Sequence, residues 1–101
     1  MPSVDVVAIF SAAEGSENEL RSLLSTLVEP SRAESANQRY DLRQVIDARP
    51  ARFIVLEQWE SPSGFDEHRI APHMERFRES VTSLLATSPE VLVLEDIKPT
   101  G

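Results

Sequence analysis

Cysteine is absent from the 101 residues, glycine occurs three times, histidine twice, and tryptophan and tyrosine once each. Without cysteine there is no disulfide, no thiolate nucleophile and no Cys-based zinc or iron–sulfur site, and the redox compartment is left open. Gly15, Gly64 and Gly101 stand far apart, which excludes the glycine loops that cradle nucleotide phosphates and the glycine-framed serine elbow of hydrolases. Long apolar runs are missing too: Val6 to Phe10 is too short for a secretory signal, and no segment approaches the ~20 residues that span a bilayer. Positive charge is scarce. Seventeen acidic residues face ten basic ones, a net charge of −7 that opposes the phosphate backbone of nucleic acids. These absences predict a cytoplasmic protein with neither a nucleic-acid nor a membrane partner.

What is present is an ordinary globular balance, 41% hydrophobic and 27% charged, consistent with a single domain over residues 1–101 with its core at about 4–97. Val4, Val6, Ala8 and Phe10 alternate with Asp5, Val7 and Ile9, the period of a strand. Ser16 and Glu19 form a capping-box signature ahead of Leu20, Leu23, Leu24, Leu27 and Val28 at helical spacing, a pattern that Pro30 is expected to interrupt. Two strands, Asn37 to Val45 and Arg52 to Glu60, flank the turn-forming stretch 47–51. Ser61-Pro62 opens a short helix that Pro72 breaks or kinks, a second helical stripe runs through Phe77, Val81, Leu84 and Leu85, and a last strand spans Val91 to Ile97. The order β-α-β-β-α-β predicts the α+β, ferredoxin-like fold, a four-stranded antiparallel sheet with both helices on one face. Three strands are apolar on both faces, so Val7, Ile9, Ile54, Leu56, Leu92 and Leu94 would form a large exposed patch. A second copy of the same sheet is the expected cover, giving a homodimer.

Glu34, Arg39-Tyr40-Asp41-Leu42, Pro50, Phe53, Glu57-Gln58-Trp59-Glu60-Ser61, His68, Pro72-His73 and Phe77 occur in an order and spacing that resemble the antibiotic-biosynthesis-monooxygenase-like domains. The resemblance covers Val6 to Glu95 and implies a dimeric α+β barrel. It also implies a monooxygenase or oxidase that uses O2 without any cofactor on a quinol-like or other electron-rich aromatic. In the aromatic-polyketide oxygenases of that family an asparagine four residues before the strand tryptophan and a tyrosine six after it help hold substrate; here those positions are Val55 and Phe65. The axial histidine of the haem-degrading members falls at about Arg78 and their first-strand asparagine at about Ala8, so the resemblance does not extend to haem.

The candidate site follows from both readings. Trp59 shares a strand face with Phe53, Val55 and Glu57, where it would wall an apolar pocket for a planar substrate. His68 and His73 are the side chains whose ordinary pKa lies near neutrality, and either is a candidate base. Tyr40, Phe53, Val55, Phe65 and Phe77 are the expected substrate contacts, with Asp5 and Glu57 as alternative bases if buried. The histidines stand five apart across Pro72 rather than at the i, i+4 spacing of helical zinc sites, so no metal is expected. Two other functions fit the same residues: a non-catalytic dimeric ligand-binding domain, and an isomerase using the histidines as proton shuttles.

Overall fold

Residues 2–100 are described by a computed structural model of the chain. The elements are β1 (Val4–Ser11), α1 (Glu17–Ser25), α2 (Val28–Arg32), β2 (Asn37–Gln44), β3 (Arg52–Trp59), α3 (Pro62–Arg69), α4 (Pro72–Val81), a 3₁₀ turn (Thr82–Leu84) and β4 (Glu90–Leu94). The strands lie in the order β2-β3-β1-β4, every neighbour antiparallel, which is the ferredoxin-like topology. Among the described residues no helix is long and apolar enough to cross a membrane.

The alternation in β1 does what its period dictates. Val4, Val6, Ala8 and Phe10 are buried under the helices while Asp5 is exposed. Leu20 and Leu24 of α1 and Phe77 and Val81 of α4 complete the core, and Phe10 meets Phe77 edge-on with ring centroids 5.6 Å apart. Asp5 is therefore no buried base; it accepts a hydrogen bond from Gln58 Nε2 at 3.0 Å on the opposite face.

Three local expectations are corrected. Ser16 makes no side-chain cap; the entry to α1 is a tight turn in which Ser16 N–H donates to Ala13 O at 2.9 Å, with Gly15 at φ +86° supplying a conformation other residues resist. Pro30 does not end the first helix. It lies inside α2, at the third position, where its missing N–H would have had no helical partner anyway. The break falls four residues upstream, at Thr26, because the proline ring collides with the carbonyl of residue i−4 in a continuous helix. The last strand stops at Leu94, and Ile97 is exposed.

The helices cover β1, β3 and the inner part of β2. They leave β4 bare: Val91 and Val93, on the helix side of the sheet, are 52% and 58% exposed. On the other face, Leu56, Val7 and Leu92 form a row across three strands, with Ile54 and Ile9 as the next row, and among the described residues no helix covers them.

Candidate active site

The helix-side face of the sheet is largely apolar but carries Glu57 in its middle with Tyr40 beside it, and the helices above it add His68 and His73. Each is brought there by a separate device. Glu57 is on the buried face of β3, two residues from Trp59, and both side chains point into the core. His68 lies in the last turn of α3, whose start is set by Ser61, which accepts from Gly64 N–H at 3.2 Å, with Pro62 in the first turn. His73 lies in the first turn of α4, just beyond the kink at Pro72. Gly64 is required by proximity: a Cβ there would stand 2.5 Å from Ala36 Cβ. That close approach of α3 to the segment between α2 and β2 lays Glu34 against the histidines.

The result is a chain of polar groups across the core. Ser31 Oγ is 3.3 Å from His73 Nε2, which is 3.2 Å from Glu34 Oε2. Glu34 Oε2 is 2.7 Å from His68 Nδ1, short enough for a charge-assisted bond. His68 Nε2 lies 3.8 Å from Glu57 Oε1, and Glu57 Oε1 accepts from the Trp59 indole N–H at 3.0 Å. Trp59 packs against His68 with the rings tilted by 33° and their centroids 4.4 Å apart, and the Tyr40 ring centroid lies 5.7 Å from that of His68.

Burial sets the electrostatics. His68 is held below the usual imidazole range, mainly by burial and against the pull of Glu34, so the neutral ring is favoured. Since a carboxylate can only accept, the bond to Glu34 places the proton of that neutral ring on Nδ1 and leaves Nε2 with a free lone pair. Burial also pushes the Glu57 carboxyl up to about 7, with the Trp59 hydrogen bond opposing. The Tyr40 hydroxyl is raised well above its ordinary value, again mainly by burial, and stays protonated as a donor.

A cavity of about 360 Å³ opens beside this chain, between α3, α4 and the bare flank of β4. Its walls include Tyr40, Glu57, Phe65, His68 and Phe77, and Arg69, Arg78, Val91 and Val93 also border it. A larger groove of about 690 Å³ runs between the hairpin tip and α1, but neither histidine lines it. The smaller cavity is the chemically equipped one.

Of the residues singled out from sequence, His68, Tyr40, Phe65 and Phe77 line this cavity together. Phe53 and Val55 do not. They are fully enclosed core, and Phe53 packs under α1 with the Arg21 guanidinium 5.8 Å above its ring. Trp59 is one layer deeper than a pocket wall, wholly buried behind His68 and Phe65. His73 faces away from the cavity into a separate groove with Leu27 and Pro30, and it reaches His68 only through Glu34. The missing partner was Glu34, present in the sequence motif with no role attached, because no local spacing connects position 34 to position 68.

The family model described as "Antibiotic biosynthesis monooxygenase" matches residues 3–80. A protein of Mycobacterium tuberculosis named "Putative monooxygenase Rv0793" is 34% identical over 91 residues, covering 90% of this chain and 88% of that protein. The solved structure of Rv0793 superposes with a TM-score of 0.89 over 98% of this chain and 99% of its own. The structure of PA3566 from Pseudomonas aeruginosa, 28% identical, gives 0.88 over 97% of each chain.

Proposed function

The chain belongs to the antibiotic biosynthesis monooxygenase family, and from that premise we propose that it is a cofactor-independent monooxygenase or oxidase that uses O2 on a quinol-like or other electron-rich aromatic molecule. The observation that carries the proposal is the 2.7 Å contact between Glu34 Oε2 and His68 Nδ1, which leaves a neutral imidazole with its Nε2 lone pair beside the cavity. His68 Nε2 takes a proton from an aromatic hydroxyl, and Glu34 stabilises the imidazolium that forms. Such a positioned base is worth roughly 10²–10⁴ in rate. The resulting phenolate is electron-rich enough to reduce O2: a quinol and O2 become a quinone and hydrogen peroxide, two electrons and two protons passing from one to the other. Arg69 and Arg78 at the cavity's edge favour the anionic form, and Phe65 and Phe77 offer faces for the ring.

The working unit is a homodimer. The row Ile54–Ile9 is bordered by Arg43 at its β2 end and Glu90 at its β4 end, and the row Leu56–Val7–Leu92 by Asp41 at its β2 end; a twofold arrangement of two such faces buries the apolar rows and leaves the charged residues at the rim.

An isomerase reading also has an observation behind it, since Glu57 and His68 place an acid and a base at one cavity. Oxygen separates the two. Oxygen uptake with a panel of hydroquinones, in the presence of a chelator and without flavin, is expected, and His68→Ala should reduce it by about 10²-fold or more. Glu34→Gln, which no longer holds the Nδ1–H tautomer as an anion, should fall by a similar factor with little change in KM. Substrate turnover without oxygen consumption would reject the oxidase in favour of the isomerase, and turnover indifferent to both substitutions would reject His68 as the base.

A further inference from the structure

Glu34 Oε2, His68 Nδ1 and His73 Nε2 come from a loop and two different helices, yet the three atoms all lie within 4.8 Å of one another. Two of the separations are 2.7 and 3.2 Å. Donors bound to one ion at about 2.0–2.2 Å sit roughly 3 Å apart, so Glu34 Oε2 already stands at ligand spacing from both imidazole nitrogens, and a turn of either ring toward the other closes the remaining separation, which is within 4.8 Å. We propose that Glu34, His68 and His73 form a site for a divalent first-row transition-metal ion of the Zn2+ type, and that the ion holds the enzyme inactive.

Two imidazoles and one carboxylate are a donor set suited to such ions. The surroundings are those of a metal site as well. Glu57 lies beyond the far nitrogen of His68, at 3.8 Å from Nε2, the position from which a carboxylate orients a ligating imidazole. The buried Ser31 hydroxyl is 3.3 Å from His73 Nε2 and stands next to the site. Access exists, because the Glu34 and His73 side chains are 20% and 13% exposed while His68 is enclosed. Against the ion works the charge of Arg78, which reaches His68; in its favour is the Glu34 carboxylate, which is itself one of the three donors.

The inhibitory consequence rests on the oxidase reading above. A metal on Nδ1 displaces the proton that Glu34 accepts, and the neutral ring then carries its proton on Nε2, the atom that must take the substrate's proton. One nitrogen cannot ligate while the other serves as base. His73, which stands outside the cavity wall, gains a use that the reaction does not give it.

Trp59 provides a readout that needs no turnover. It is the chain's one tryptophan, and its ring is 4.4 Å from that of His68, so a paramagnetic ion at the site quenches its emission. Metal-free protein titrated with Co2+ is expected to lose most of its tryptophan fluorescence, saturating near one ion per chain. Zn2+ should reverse the quenching by competition and raise the melting temperature by about 5 °C or more at saturation. His73→Ala, and His73→Gln should the alanine variant unfold, must weaken Co2+ binding by at least about tenfold. Absence of saturable quenching in the parent protein, or quenching unaltered in a folded His73 variant, overturns the site. Oxygen uptake by metal-free protein is then compared with the Zn2+-loaded form. Binding with uptake that Zn2+ leaves unchanged overturns the inhibition, whereas binding with no uptake in either form refutes the oxidase reading and leaves the metal site standing.

Discussion

At the residue scale, the site depends on two groups, the Glu57 carboxyl and the His68 imidazole, whose ionisation is governed by burial more than by charge. Glu57 is the sharpest case. Its folded-state pKa of about 7 exceeds that of the unfolded chain, so the folded protein holds this proton more tightly. The associated stability is fully present below pH ~4.5 and is lost as pH rises through about 7. The raised value corresponds to roughly 3 kcal/mol at most. His68, held below its ordinary range, has the opposite sign: its contribution is present above pH ~6.5 and is lost as pH falls. Comparing the parent with Glu57→Gln cancels the shared histidine term. In EDTA-containing buffers the parent is expected to lose stability relative to Glu57→Gln between pH 5 and pH 8, read as the difference in urea midpoints. A constant difference across that range would mean that Glu57 does not titrate there. The sequence suggested Glu57 as a buried carboxylate because it alternates with apolar neighbours, but the same reasoning suggested Asp5, and only the helix layer distinguishes the two faces of the sheet.

At the scale of elements, the site is assembled where α3 crowds the α2–β2 segment. That crowding requires Gly64, since an added Cβ meets Ala36 at 2.5 Å and neither group is the flexible end of a long side chain. Gly64→Ala is expected to push α3 outward by a fraction of an ångström or more, lengthening the Glu34–His68 contact. The melting temperature should fall by several degrees, from a loss of about 1–3 kcal/mol, and oxygen uptake should fall further than the stability loss explains. A fully active, fully stable Gly64→Ala protein would show that this approach is not critical. The helices themselves were readable from spacing, and the kink at Pro72 from proline chemistry. The break at Thr26 was not, because it depends on where the proline ring meets the preceding turn rather than on where the proline stands.

At the scale of the whole molecule, the subunit is a half-covered sheet. Leu92 and Leu94 are 44% and 46% exposed and Val7, Ile9, Ile54 and Leu56 are only partly buried, an arrangement that a stable solitary subunit would rarely keep. Val7 sits at the middle of the central row, so Val7→Asp places two like charges near each other across the twofold axis. The parent is expected to elute as a dimer in size-exclusion chromatography at micromolar concentration, and Val7→Asp as a monomer of lower melting temperature. A monomeric parent would remove the dimer from the functional proposal.

The linear pattern alone determined the order of the strands and main helices and the division of each strand into two faces, both largely apolar in three of the four, since side-chain period and turn chemistry are local properties of the backbone; which face the helices cover it left open. It also carried the family resemblance that the comparisons bear out. What only the tertiary structure decided is which chemistry-bearing groups meet. Glu34 and His68 are 34 residues apart and touch, while Phe53, Val55 and Trp59, on the same strand face as Glu57, end up behind the cavity rather than around it. The physical reason is that helices settle on a sheet by filling volume. The distance from a loop carboxylate to a helical imidazole is set by that packing, down to a single missing methyl at Gly64, and no periodicity in the chain encodes it.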